Sequence, residues 1–394
     1  MNFDSAQVMR QVLQAGRYDA LQTQAFSPHQ VNKAAVESGQ AMGFHLEVID
    51  NPAQDLQDSM EELSFQFEEK EMKTAGERKL GERNTMRSAY LTAVDGWKEV
   101  MPDMPGGEYM ERMRRQLRNM QSGGNLPGAD GLLRMLREGS RDPSHMFAML
   151  DILEKSLGPG DTDMKALFAA AREKLEAEHG EEIRAGLNIA ETVNETAGDV
   201  SEVARLRELY RSEVLGFKSP QACFRALLQR GGPGGIQAAV DFLVKGCTVD
   251  LASPEPSRVP EDLRRIMLDL QCVNVLTAMM DKLGGLAGKM QSQFGIACTM
   301  SGAELTSGVL DLTEMPFVGQ SNIAALISQC GIGQLLAQLY FCTGLLDVFR
   351  GLSSRLFEKE GDREKLVEAG QEHLDGLVMQ QQAEDERERQ EGAA

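Results

Sequence analysis

From about residue 55 onward, apolar residues recur three and four positions apart, and a chain written in that period buries them by forming helices. The segment DPSHMFAMLDILEKSLGP shows the pattern whole. Asp142 is suited to cap a helix start, Pro143 fits a first turn that needs no amide hydrogen, and Gly158 with Pro159 ends the run. Met146, Leu150, Leu153 and Leu157 then share one face. Asp199 and Glu202 have capping-box spacing ahead of a stripe of Val203, Leu206, Tyr210 and Val214. Leu263, Ile266, Leu270, Val273, Met280 and Leu283 mark a long helix with Glu261 and Asp262 at its positive end, and Leu366, His373, Leu374 and Leu377 mark a final one. Ala, Leu, Glu, Gln, Met and Arg dominate and aromatics reach only 5%, so the expected class is all-α.

Punctuation divides this text. At 394 residues the chain is long enough for about two or three cores. MPDMPGG (101–107) breaks the first helices, and GPGDTD marks a first domain boundary. Pro220 opens QACFRALLQR, a helix over Ile236–Lys245 is expected to stop at Gly246, and SPEPSRVP reads as a stiff extended connector. GGLAGK is expected to open a third segment. The result is three helical bundles in an elongated array, residues 56–158, 159–284 and 285–394, behind a flexible segment 1–55. That segment is rich in Gln, Ser, Asn and Gly and lacks a sustained helical period. Inside it, GFHLEVID alternates Phe44, Leu46 and Val48 with His45 and Glu47, which is either a loop or an edge strand added to another protein. The tail AEDERERQEGAA reads as a solvated helix end or disorder.

Several functions are disfavoured. A formal net charge of −19 with no block of basic residues argues against a nucleic-acid footprint; acidity serves solubility or suits partners with basic faces. The six cysteines lie in the second half without a CxxC and read as reduced core thiols of a cytosolic protein. The N-terminus has neither a basic start nor an apolar stretch, so no Sec-type signal is expected. No charge occurs between Glu314 and Asp347, but Gln320, Asn322, Ser328, Gln329, Gln334 and Gln338 interrupt the window, favouring a buried helical pair over membrane insertion. GGPGGIQ lacks the lysine and hydroxyl of a phosphate loop. In LGGLAGKM, Gly288 and Lys289 fit, but Leu283 and Met290 replace the first glycine and the hydroxyl. The five histidines form no HExxH or HxH and GxSxG is missing, so no catalytic residue, cofactor or metal site is assigned.

Four stretches resemble the gatekeeper (SctW) family of bacterial type III secretion: EELSFQFEEKEMKTAGERKLGERN; DPSHMFAMLDILEKS; EEIRAGLNIAETV through PEDLRRIMLDL; and FRGLSSRLFEKEGDREKLVEAGQEHLDGLV. The last is similar to a part that some bacteria encode as a separate protein. The resemblance covers roughly residues 55–385, and the glycine-rich stretch from Gly284 to Gln338 departs from it. It implies a rod of three helical bundles at the cytoplasmic face of the inner-membrane export apparatus, promoting translocator export and holding back effectors until host contact. The resemblance extends to export of the protein itself by the type III route. Implied partners are a secretion chaperone on the N-terminal segment, export-apparatus components and chaperone–translocator complexes, with no nucleic acid and no stable membrane insertion. Phe44, Leu46 and Val48 are the candidate chaperone contacts; Arg355, Phe357, Asp362 and Glu364, around a loop of the third bundle, are the candidate docking residues. The rival readings are a secreted translocator or effector and a generic helical scaffold.

Overall fold

The computed structural model describes residues 75–392 apart from position 360. Phe44, Leu46 and Val48 lie outside the described residues. Among those described the regular structure is helical and no strand occurs, as the spacing of apolar residues requires.

Helices α1 (Ala75–Val100), α2 (Gly107–Ser122), α3 (Ala129–Gly139), α4 (Pro143–Lys155) and the first part of α5 (Thr162–Asn188) enclose one core, running from Tyr90 to Ile183. Methionines 101, 104, 110, 113, 146, 149 and 164 fill much of it; their unbranched thioethers adapt to the irregular gaps between short helices. Asp142 caps α4 as its position suggests, accepting from the Ser144 amide at 2.9 Å. The GPGDTD turn joins α4 to α5 inside this core, with Leu157 and Met164 both buried in it.

A second core begins at Ala185, still within α5, and continues to Leu377. It is built by α6 (Ala190–Thr196), α7 (Val200–Tyr210), α8 (Pro220–Ala252), α9 (Pro260–Phe294), α10 (Gly302–Glu314), α11 (Gln320–Gln329), α12 (Leu335–Gly351) and α13 (Asp362–Gly392). After α7 the backbone widens into a π turn at Arg211–Leu215. The charge-free stretch folds into α11 and α12, which bury Ile323, Leu326 and Ile327 and Ala337, Phe341 and Leu345. Among the described residues no helix is long and apolar enough to cross a membrane.

Two glycine signals, at Gly246 and in GGLAGK, act otherwise than expected. Helical turns continue on both sides of Gly232, which takes up a kink at φ +63°, and α8 runs on through Gly246 to Ala252. At Gly246 a Cβ would lie 2.8 Å from the Tyr210 ring, so the glycine admits a neighbour instead of ending the helix. GGLAGK opens nothing: α9 passes through Gly284, Gly285 and Gly288 and ends at Phe294, before the left-handed Gly295. The reason is a backbone approach. A Cβ on Gly302 at the start of α10 would meet Met280 O at 2.6 Å and Gly284 N at 2.9 Å.

Polar side chains join the two cores. The Arg207 side chain is 2% exposed; its Nε lies 3.4 Å from Asp103 Oδ1, and its Nη1 donates to Gly186 O at 3.0 Å. Burial depresses the Arg207 pKa, which Asp103 and Asp142 oppose. His145 Nε2 approaches Asp103 Oδ1 at 3.3 Å, and Arg211 reaches Asp142 at 2.7 Å and Glu182 at 3.3 Å. The SPEPSRVP connector is anchored on the fully buried Asp250, which accepts from the Ser257 amide at 2.8 Å, the Ser257 hydroxyl, Tyr210 OH at 2.8 Å and Asn188 Nδ2 at 2.7 Å.

Candidate docking site

A surface cleft of about 390 Å³ opens where the start of α8 meets the end of α10 and the turn before α13. Ser219 caps α8 by accepting from the Ala222 amide, and Pro220 occupies the first turn, where its missing amide hydrogen costs nothing. One turn of backbone, Ser354–Leu356, then tucks against this helix start: Gln221 Nε2 donates to Leu356 O at 2.7 Å, a buried bond between residues 135 apart in sequence.

Arg355, Phe357 and Asp362 line this cleft together; Glu364 does not. Arg355 Nη1 pairs with Asp269 Oδ1 at 2.8 Å, and the aspartate, on α9, is far less exposed than the arginine. Phe357 is half-buried and packs against the second core. Asp362 accepts from Lys365 Nζ at 2.8 Å, a bond that holds its pKa below the usual carboxylate range. Glu364 is exposed and pairs with Arg363 at 2.7 Å, which lowers its pKa in the same way.

The rim toward α10 carries residues that sequence reasoning missed. Arg225, on α8, holds Glu314 through two contacts of 2.9 Å and Asp311 at 2.7 Å, fixing the end of α10. Immediately beyond that clamp the chain exposes Met315 and Phe317, the latter 78% exposed. The loop is ordered from its far end as well, because Asn322 Oδ1 accepts from the Gly319 amide at 3.0 Å. A large aromatic held out to water by a fixed loop is unusual for a surface that binds nothing. Its signal in the sequence was MPFVG, an aromatic inside a turn in the charge-free stretch. Asp269 also had a signal: it interrupts the apolar stripe between Ile266 and Leu270, where a carboxylate needs a partner. Nothing local said that the partner is Arg355, 86 positions away.

The chemistry available is recognition. The cleft mixes cations (Lys218, Arg355, Lys359) with carboxylates (Asp269, Glu314, Glu358, Asp362) beside exposed apolar surface. Among the described residues no group of three or more His, Cys, Asp or Glu side chains is placed to hold a metal ion.

An HrpJ-like domain family model matches residues 55–231 and a TyeA family model matches residues 303–384; together they cover more than half of the chain. The chain belongs to the type III secretion gatekeeper family. Its place is therefore in the regulation of type III protein secretion. The outer membrane protein YopN of Yersinia pestis is 26% identical over 250 residues, which are 63% of this chain and 84% of that protein. YopN of Yersinia enterocolitica matches to the same extent. Two solved structures share the fold: MxiC of Shigella flexneri, with a TM-score of 0.55 at 15% identity over 72% of this chain and 99% of that one, and CopN of Chlamydia pneumoniae, with 0.51 at 18% over 73% and 99%. CopN has also been solved as a CopN–Scc3 complex, which matches with a TM-score of 0.50 at 18% identity over 72% of this chain and 99% of that one. Placed on the gatekeeper, the two family matches meet at the cleft. Lys218, Ser219, Pro220 and Gln221 come from the HrpJ-like part, whereas Glu314, Arg355, Phe357 and Asp362 come from the TyeA part.

Proposed function

We propose that this gatekeeper works by occupancy, docking its TyeA-like part on a component of the export apparatus through the cleft and the adjoining Met315–Phe317 rim. Bound there at the cytoplasmic face of the inner membrane, it promotes translocator export, through contact with chaperone–translocator complexes, and blocks effectors sterically. Host contact removes it and frees the site. No bond is made or broken in this reading, so no catalytic residue is needed. Residues 1–55, with Phe44, Leu46 and Val48, take a secretion chaperone; the existence of a CopN–Scc3 complex supports a partner for a relative of this chain.

The observation that carries the proposal is Phe317, exposed on a loop clamped from both sides beside a cleft shared by the two family segments. Truncating a side chain so exposed changes stability within about 0.5 kcal/mol, so Phe317→Ala separates docking from folding. In the native bacterium, deleting the gene is expected to raise secreted effectors before host contact and to lower secreted translocators. Phe317→Ala, at normal protein levels, is expected to reproduce the effector phenotype. Unchanged amounts of both cargo classes in the deletion strain would end the gatekeeper mechanism; a normal Phe317→Ala strain would move docking away from this rim.

A further inference from the structure

The six cysteines are free thiols, five of them buried and Cys298 partly exposed. Cys298 lies in the connection between α9 and α10, and Cys330 caps the end of α11. The two segments are knit together at this point. The Thr299 amide donates to Cys330 O at 3.1 Å, and the Thr299 hydroxyl donates to Gln329 O. The Cys330 thiol donates to Leu326 O at 3.3 Å and touches Met300 Sδ at 3.9 Å, so the side chains around Cys298 converge on it. Burial foremost, and then the neighbouring Cys298 thiol, push the Cys330 pKa upward. A disulfide forms only between cysteines whose backbones are already close, and the Thr299–Cys330 hydrogen bond fixes the two backbones side by side, one residue from Cys298.

We propose that Cys298 and Cys330 are a redox couple that closes to an intramolecular disulfide when the chain meets an oxidising thiol pool. The asymmetry of the pair sets the order of events. The partly exposed Cys298, as thiolate, attacks one sulfur of glutathione disulfide, forming a mixed disulfide and releasing one glutathione thiolate. The Cys330 sulfur, giving up its proton as it attacks, then displaces the second glutathione from Cys298. Two protein thiols are oxidised by two electrons, one glutathione disulfide is reduced to two glutathiones, and both protons leave on them. In a reducing cytosol the pair stays open; in oxidising surroundings it closes. The resulting link staples the α10–α11 hairpin at its base, and that hairpin carries Met315 and Phe317. Cys223 and Cys247, in contrast, are both buried along α8, out of reach of the oxidant.

The test is to incubate the folded full-length chain with glutathione disulfide at neutral pH, then alkylate it and map its peptides. The expected result is loss of two of the six thiols, a Cys298–Cys330 cross-linked peptide, and a raised melting temperature that a reductant reverses. Cys298→Ser should leave Cys330 unoxidised, whereas Cys342→Ser should change nothing. Because Cys298 is partly exposed, its serine variant keeps the fold and carries the control even where Cys330→Ser does not. A stable glutathione adduct on Cys298, a disulfide between two chains, or six persisting thiols with helicity intact would each overturn the proposal.

Discussion

Arg207 and Arg355 each pair with an aspartate, at 3.4 and 2.8 Å, yet the longer contact matters more for stability. Arg207 is 2% exposed and its partner Asp103 5%, so removing the guanidinium leaves a buried carboxylate without its arginine partner, with the His145 ring still 3.3 Å away. Arg207→Ala is therefore expected to lower unfolding stability by about 3–5 kcal/mol. Arg355 is 41% exposed and water can replace it; Arg355→Ala should cost less than about 1 kcal/mol. Urea titrations of the two variants check the ranking, and equal losses would contradict it. The contrast has a functional use, since a charge whose removal leaves the fold intact can report on docking alone. The sequence displayed both arginines in similar polar settings. Exposure, which distinguishes them, depends on residues far along the chain.

At the level of elements, caps and stripes were legible because they are local. Asp142 and Asp199 hydrogen-bond amides within three residues, as their spacing indicated. Glu202 reaches the Gly198 amide, one position before the cap itself. Glycines were misread because a glycine that ends a helix and one that admits a neighbouring backbone look alike in sequence. The α9–α10 crossing distinguishes them. Gly302→Ala places a methyl against the Met280 carbonyl and the Gly284 backbone and is expected to cost about 1–3 kcal/mol. Gly285 is exposed, with nothing within 4 Å of an added Cβ. Gly285→Ala should stabilise by about 0.5–1 kcal/mol, the ordinary helix-propensity gain. Thermal melts of the pair should therefore shift in opposite directions.

On the scale of the molecule, the second core is continuous from Ala185 to Leu377, so the TyeA-like residues complete a core that the preceding helices begin. A chain cut after residue 302 would uncover Leu283, Leu286 and Met290 on α9. It is expected to bind a hydrophobic dye and aggregate on size exclusion, and supplying residues 303–394 as a separate polypeptide should restore a soluble complex. A well-behaved monomer of the truncated chain would show instead that the core divides there. The all-α class, the starts of α4, α7, α8 and α9 and the likeness to gatekeepers followed from the sequence alone, because helical periodicity and capping act within a few residues of themselves. The tertiary structure decided which glycines bend a helix and which let two helices touch, which arginine is buried, that Asp269 meets Arg355, and that Phe317 faces water. Each of those depends on what lies across the core, and that is set only when distant segments have packed.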